Sequence, residues 1–108
     1  MIEIAIENNI VIINFEQKEL GFYDSSNLDA INSQMEHSEY KQIQLSLENV
    51  RFISSTFMGQ LARFAQTAKS KNIEILVKGF VDPFVFQLLS ISRLESYMKF
   101  LGSINEET

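Results

Sequence analysis

The chain has 108 residues and a net charge of −5, with 45% hydrophobic and 21% charged residues. This length and composition fit one globular domain with one modest core. The acidic balance argues against nucleic acid and anionic membranes as partners, because both select clustered Lys and Arg. The absence of Cys excludes disulfides, thiolate nucleophiles and thiolate metal ligands.

The N-terminal apolar run does not read as a signal peptide, because it carries Glu3 and Glu7. No apolar stretch approaches the roughly 20 residues of a membrane-spanning helix. We therefore expect a cytoplasmic protein that does not insert into membranes.

The first two elements are predicted strands joined by a tight turn. Apolar and polar or small residues alternate over residues 2–7, as in a strand with one wet face. The pair Asn8-Asn9 tolerates positive φ, which favours a hairpin into a second strand over residues 10–15. Residues 17–21 are predicted to be a plain connection.

Two helices are predicted around a central strand. Residues 24–27 are good N-cap types, and the helix after them ends near His37 or Ser38. Residues 42–47 alternate as a strand. The second helix covers about residues 55–70, and Asn72 suits a left-handed closing position. The apolar positions at helical spacing are Leu28, Ile31 and Met35 in the first helix and Phe57, Leu61, Phe64, Ala65 and Ala68 in the second.

The last third continues the alternation of strand and helix. Residues 73–77 are a predicted strand, and Asp82-Pro83 is a strong helix start with Asp as cap and Pro in the first turn. Residues 96–101 are a predicted final strand, and residues 102–108 a frayed acidic tail. The order β-β-α-β-α-β-α-β indicates a single α/β domain over residues 1–101 with parallel crossovers and helices mainly on one sheet face. Phe84, Phe86, Tyr97 and Phe100 are expected mostly in the core, with Phe84 or Phe86 exposed.

Three hydroxyl residues, Ser54, Ser55 and Thr56, stand where the strand pattern ends and the second helix begins. Ser and Thr oxygens accept hydrogen bonds from the first free N–H groups of a helix. The same N–H groups and the helix dipole favour an anion there, including a phosphate. An ordinary helix cap is enough to explain these three hydroxyl residues. The same position would also accept a phosphate.

This run resembles the signature of the STAS domain, the family of anti-sigma-factor antagonists and sulfate-transporter tails. In that family a strand ending in an apolar pair is followed by Asp-Ser-(Ser/Thr)-Gly-Leu-Gly and a helix. Ser55, Thr56 and Gly59 match this pattern, whereas Ser54 replaces the usual Asp and Phe57 replaces the usual Gly. The resemblance covers residues 2–101 and implies a mixed sheet of about five strands.

The resemblance also implies a function. Such a domain binds a kinase-type anti-sigma factor when unphosphorylated and is released by phosphorylation, which makes it a bacterial regulator of transcription and a phosphoprotein. Ser55 falls on the phosphoacceptor position, with Thr56 and Ser54 as less favoured substitutes. The expected partner-binding residues surround it: Ser54, Ser55, Thr56, Phe57, Met58, Gly59, Gln60 and Arg63.

Several alternatives stay open at this stage. The chain resembles small scaffold subunits that brace an ABC transporter ATPase or another signalling complex, through a permanent apolar contact of Phe57 and Met58. Phe57 would otherwise be core, and Gly59 has either a packing reason or a close partner. His37 has no neighbouring ligand at metal spacing, and Asp24, Asp29 and Glu36 are explained by capping and a solvated face. No cofactor, metal site or catalytic set is expected, and the other open class, an enzyme or nucleotide-binding protein, has no support in the sequence.

Overall fold

A computed structural model describes residues 2–21, 24–35 and 39–101. Five strands form the main sheet in the order β1-β2-β4-β6-β7. These are β1 (Ile2–Glu7), β2 (Ile10–Phe15), β4 (Gln42–Ser46), β6 (Glu74–Lys78) and β7 (Lys99–Phe100). β1 pairs antiparallel with β2, and every later pair is parallel, so the sheet is mixed as expected.

The turn between β1 and β2 has the predicted hairpin geometry. Asn8 and Asn9 both have positive φ, at 52° and 67°, which is the backbone of a two-residue type I′ turn. Pairing runs without interruption from Ile2 opposite Phe15 to Glu7 opposite Ile10. The turn residues therefore fix the register of the sheet edge.

The second helix has the predicted bounds, and the first and third helices begin where the sequence predicts. α1 covers Ser25–Met35, α2 covers Ser55–Ser70 and α3 covers Pro83–Ile91. Asp82 Oδ1 accepts from the Phe84 N–H at 2.8 Å, which confirms the predicted cap, and Asn72 has the predicted left-handed φ of 59°. The predicted end of the first helix at His37 or Ser38 lies outside the described residues.

The core lies between one face of the sheet and the helices, as the strand alternation predicts. Val11, Ile13 and Phe15 from β2, with Ile43 and Leu45 from β4, are at most 1% exposed. The buried side chains of α2 join them, namely Phe57, Leu61, Phe64, Ala65 and Ala68. Phe86, Tyr97 and Phe100 pack against this core as expected, whereas Phe84 is 48% exposed.

Two predictions about the connections are wrong. Residues 17–21 are not a plain connection, because β3 (Glu19–Leu20) pairs in parallel with β5 (Phe52–Ile53) in a second, two-stranded sheet. Residues 96–101 are not one strand, because a 3₁₀ helix (Leu94–Tyr97) precedes the two-residue β7. Pairs this short leave too little alternation in the sequence for a period of two to be detected.

Candidate functional site

The hydroxyl run begins with the residue that caps α2. Ser54 has extended backbone, with φ −73° and ψ 161°, and its Oγ accepts a hydrogen bond from the Phe57 N–H at 3.2 Å. This is the cap role that the sequence predicts for the run, and Ser54 fills it. The two hydroxyls that follow are therefore not needed as caps.

Backbone hydrogen bonds in and around the two-stranded sheet of β3 and β5, which we call the minor sheet, hold this cap in place. The Ser54 N–H donates to the Leu20 carbonyl at 2.8 Å, and the Arg51 and Phe52 N–H groups donate to the Lys18 carbonyl at 2.7 and 3.1 Å. The start of α2 is thus fixed by main-chain contacts to the segment after β2. The sequence gives no signal for these contacts, since backbone groups make them.

Ser55 and Thr56 lie in the first turn of α2 and are both exposed. The first turn contains no acidic residue, so nothing there already complements the positive end of the helix dipole. A negative group added at Ser55 would meet solvent on one side and the helix N-terminus on the other. The position can therefore accept a phosphate without unfolding the helix.

Phe57 was expected in the partner-binding set, and the structure corrects that prediction. Its ring is fully buried and packs edge-to-face on Phe15, with ring centroids 5.9 Å apart. A side chain with no accessible surface cannot contact a partner or support a permanent apolar interface. Phe57 anchors the start of α2 to the sheet instead.

Gly59 lies on the exposed face of α2, one turn beyond Ser55. A Cβ built at this position would have no atom within 4 Å outside the immediate helix backbone. The structure therefore provides no packing reason for a glycine that weakens the helix by about 1 kcal/mol relative to Ala. The alternative explanation, close approach of a partner, stays a prediction.

The other residues of the expected set differ in accessibility. Arg63 is exposed on α2, and Met58 is half-buried, with its Sδ 3.8 Å from the Ser92 Oγ just beyond α3. Gln60 is half-buried, and within the described residues its Oε1 is buried without a hydrogen-bond partner. Arg63 can therefore contact another molecule more readily than Met58 or Gln60.

Sequence reasoning expected Phe84 or Phe86 to be exposed but missed that exposed Phe52 stacks on Phe84 beside the hydroxyl run. Phe52 and Phe84 are 43% and 48% exposed, and their rings stack with centroids 6.3 Å apart and planes 19° apart. The signal available was the alternation in β5, which buries Ile53 and turns Phe52 outward. Two large apolar rings stacked in solvent are a feature typical of contact surfaces.

An ion pair next to the aromatic pair links the segment before β5, which carries Phe52, to the start of α3, which carries Phe84. Arg51 Nε lies 3.7 Å from Asp82 Oδ2, and Arg51 Nη1 donates to the Glu48 carbonyl at 2.8 Å. Asp82 also caps α3, so one carboxylate fixes the start of α3 next to β5. The pair is partly solvated, with the Arg51 and Asp82 side chains 49% and 23% exposed, and it stabilises the fold little.

The apolar surface continues along α3. Phe84, Leu88 and Ile91 recur at helical spacing on this helix, and Ile91 is 74% exposed. Neither α2 nor α3 contains an acidic residue, although the whole chain is acidic. The exposed aromatic pair, Ile91, the Ser55 hydroxyl and Arg63 are the accessible residues of β5, α2 and α3 described above, and we call this set the docking face.

No group of three or more His, Cys, Asp or Glu side chains within residues 2–21, 24–35 and 39–101 could hold a metal ion. None of the helices described there is long and apolar enough to cross a membrane.

Known structures share this architecture across nearly the whole chain. An anti-sigma factor antagonist from Thermotoga maritima, itself a tentative assignment, is 18% identical with a TM-score of 0.77, covering 98% of this chain and 89% of its own. Phosphorylated SpoIIAA, a Bacillus cell fate determinant, is 16% identical with a TM-score of 0.74, at coverages of 99% and 95%. A sulfate transporter family protein from Wolinella succinogenes is 16% identical with a TM-score of 0.74, at coverages of 94% and 83%.

At these identities the structures establish the fold, and a family model establishes the family. No curated protein sequence matches this chain. The model of the STAS domain matches residues 1–107, almost the full length. The chain belongs to the STAS domain family.

Proposed function

We propose that this protein is a bacterial anti-sigma factor antagonist whose binding to a kinase-type anti-sigma factor is controlled by phosphorylation of Ser55. The observation that carries the proposal is the exposed Ser55 hydroxyl in the first turn of a helix that Ser54 already caps. The family and the similarity to the SpoIIAA fold support it. The protein would act in the cytoplasm as a binding module without catalytic activity.

Charge explains how a phosphate would release the partner. The docking face carries Arg63, and Asp82, the acid beside its aromatic pair, is paired with Arg51, so we expect its complement to be an apolar surface with an acidic rim. A phosphate on Ser55 adds about −1.5 to −2 charges at neutral pH. That charge would repel the acidic rim and would lose hydration inside the interface. The helix dipole would keep the phosphorylated domain folded.

Phosphosite mapping on protein from its native cells tests the modification. Intact mass and peptide mapping, with and without phosphatase inhibitors, should place one phosphate on Ser55. Recombinant protein incubated with ATP and the organism's own kinase-type anti-sigma factors should be modified at the same residue. Ser55→Ala should abolish this, and Thr56→Ala should not. A phosphate on another residue alone, or on none in any growth phase, would refute the switch.

Binding to that anti-sigma factor is the second part of the test. Ser55→Ala should bind as the parent does and should resist release by ATP, whereas Ser55→Asp should bind at least about tenfold more weakly, a loss of about 1.4 kcal/mol. Circular dichroism should show Ser55→Asp folded, because a negative group in the first helical turn is favourable. Equal affinity of Ser55→Asp and the parent would contradict the mechanism.

A scaffold role is the second candidate, and one departure favours it. Ser54 occupies the position where the family usually has Asp, next to the phosphoacceptor, and a chain without phosphorylation would tolerate that change. A permanent apolar contact cannot use Phe57, which is buried, but Phe52, Phe84 and Ile91 are available. Stoichiometric co-purification with an ABC transporter ATPase, and no phosphate on Ser55, would favour the scaffold.

A further inference from the structure

β1 is one of the two edges of the main sheet, and the other, β7, has only two residues. Among the described residues, β1 pairs with β2 alone. Native proteins usually protect such an edge with charged side chains, especially Lys, or with Pro, a bulge or a very short strand. β1 has six residues with uninterrupted register and neither Lys nor Pro, and its charged residues are Glu3 and Glu7. Its outer side can therefore accept another strand.

The hairpin decides which backbone groups face outward. A two-residue turn closes on a hydrogen-bonded pair, here Glu7 with Ile10, and such pairs alternate with non-hydrogen-bonded ones along an antiparallel ladder. Ala5 and Ile12 therefore form the next hydrogen-bonded pair. The N–H and C=O groups of Ile4 and Ile6 point away from β2.

The side chains of Ile4 and Ile6 lie at the edge of the core and are only partly covered. In the register, Ile4 lies beside Ile13 and Ile6 beside Val11, both of which are at most 1% exposed. Ile4 and Ile6 face the same side of the sheet but are 42% and 50% exposed. Outward-facing backbone groups and half-covered isoleucines thus coincide at one edge.

We propose that two copies of this chain pair through β1, antiparallel, about a two-fold axis at Ile4. In two antiparallel registers, the outward-facing N–H and C=O groups of one β1 pair with those of the other β1, and most of the two strands overlap. Centring on Ala5 would place Glu3 opposite Glu7 twice, and like charges directly opposite are destabilising. Centring on Ile4 places residue 2 opposite Ile6 and Glu3 opposite Ala5, so it opposes no like charges.

The dimer joins two five-stranded sheets into one continuous sheet and packs the Ile4 and Ile6 side chains of both copies together. A contact made by one six-residue strand from each copy is small beside the roughly 1,200 Å² of a standard stable interface. The dimer is therefore concentration-dependent. It uses a sheet edge and leaves α2 and α3 unobstructed, so it is independent of the proposed function.

Sedimentation velocity over a wide concentration range tests the dimer. The parent protein should shift from monomer to dimer as concentration rises. Ile4→Lys should remain monomeric and folded by circular dichroism, because Ile4 is already half-exposed. Ile91→Lys places the same charge on another exposed isoleucine and should dimerise as the parent does. A parent that stays monomeric throughout, or Ile4→Lys that dimerises like the parent, overturns the proposal.

Single-cysteine variants test the register, because the chain has no Cys of its own. Opposed residues of a hydrogen-bonded pair have Cα atoms about 5.5 Å apart, within the range of a disulfide. Ile4→Cys should therefore form a disulfide dimer under mild oxidation. Ile6→Cys should not, because its two copies would lie about 13 Å apart along the strand. Cross-linking of Ile6→Cys alone, or of neither variant, would overturn the assigned register.

Discussion

Replacing Gly59 by Ala separates an effect on stability from an effect on binding. Gly59 lies inside α2 on its exposed face, and an added Cβ would meet no neighbouring atom. The methyl group therefore costs nothing sterically in the free protein. It removes the conformational entropy penalty that a glycine brings to a helix.

The expected gain follows from helix propensity and chain length. Ala is favoured over Gly by about 1 kcal/mol inside a helix. With an unfolding entropy of about 2.1 cal/mol/K per residue, a chain of this length should gain about 4 °C in Tm. If a partner approaches the Gly59 backbone closely, the same methyl group should weaken binding by about tenfold or more, because it adds volume to a packed contact.

Thermal unfolding and affinity for the anti-sigma factor measure the two effects on the same samples. Ser33→Ala is a suitable control, because it improves helix propensity at an exposed position of α1. It should raise Tm by a smaller amount and leave affinity unchanged. A lower Tm for Gly59→Ala would refute the open space described at this position. A higher Tm with unchanged affinity would remove Gly59 from the docking face.

Substitutions at three further positions test the helix cap, the buried aromatic residue and a glycine turn of the fold. Ser54→Ala should lower the free energy of unfolding by about 1 kcal/mol in urea titrations, whereas Ser54→Asp should preserve it because Asp caps equally well; equal stability of both variants would contradict the cap. Phe57→Ala should cost about 3–5 kcal/mol, as for a large core side chain, and a loss below 1 kcal/mol would contradict its burial. Gly79→Ala should lose about 1 kcal/mol or more in the same titration, because Gly79 has φ +82° and a Cβ there would clash with the Glu48 carboxylate. The double variant with Glu48→Ala should recover only part of that loss, and full recovery would contradict a backbone cost.

Long periodic elements and their ends were predictable from sequence. The hairpin required Asn8 and Asn9, the start of α3 required Asp82 followed by Pro, and both are local effects of residue type. The position of Ser55 was predictable for the same reason, since cap chemistry lies within four residues. Structural effects that act within a few residues can therefore be predicted from a short stretch of sequence.

Burial and pairing between distant segments were not predictable in the same way. Phe57 and Phe84 are both aromatic residues in a first helical turn, yet one is buried against Phe15 and the other stacks in solvent on Phe52. The choice depends on which face of each helix meets the sheet. The minor sheet was missed because Glu19–Leu20 and Phe52–Ile53 pair across more than 30 residues through only two positions each.

The minor sheet also has a thermodynamic consequence for recognition. Because main-chain bonds from Lys18 and Leu20 hold the segment before Ser54, the start of α2 is already ordered before any partner arrives. Binding of a partner would then include little of the cost of ordering this backbone, which is ordinarily about 1–2 kcal/mol for each residue fixed. Recognition of this rigid start would consequently be a rigid-body event, and a modification there would change affinity through dissociation rate more than through refolding of the domain.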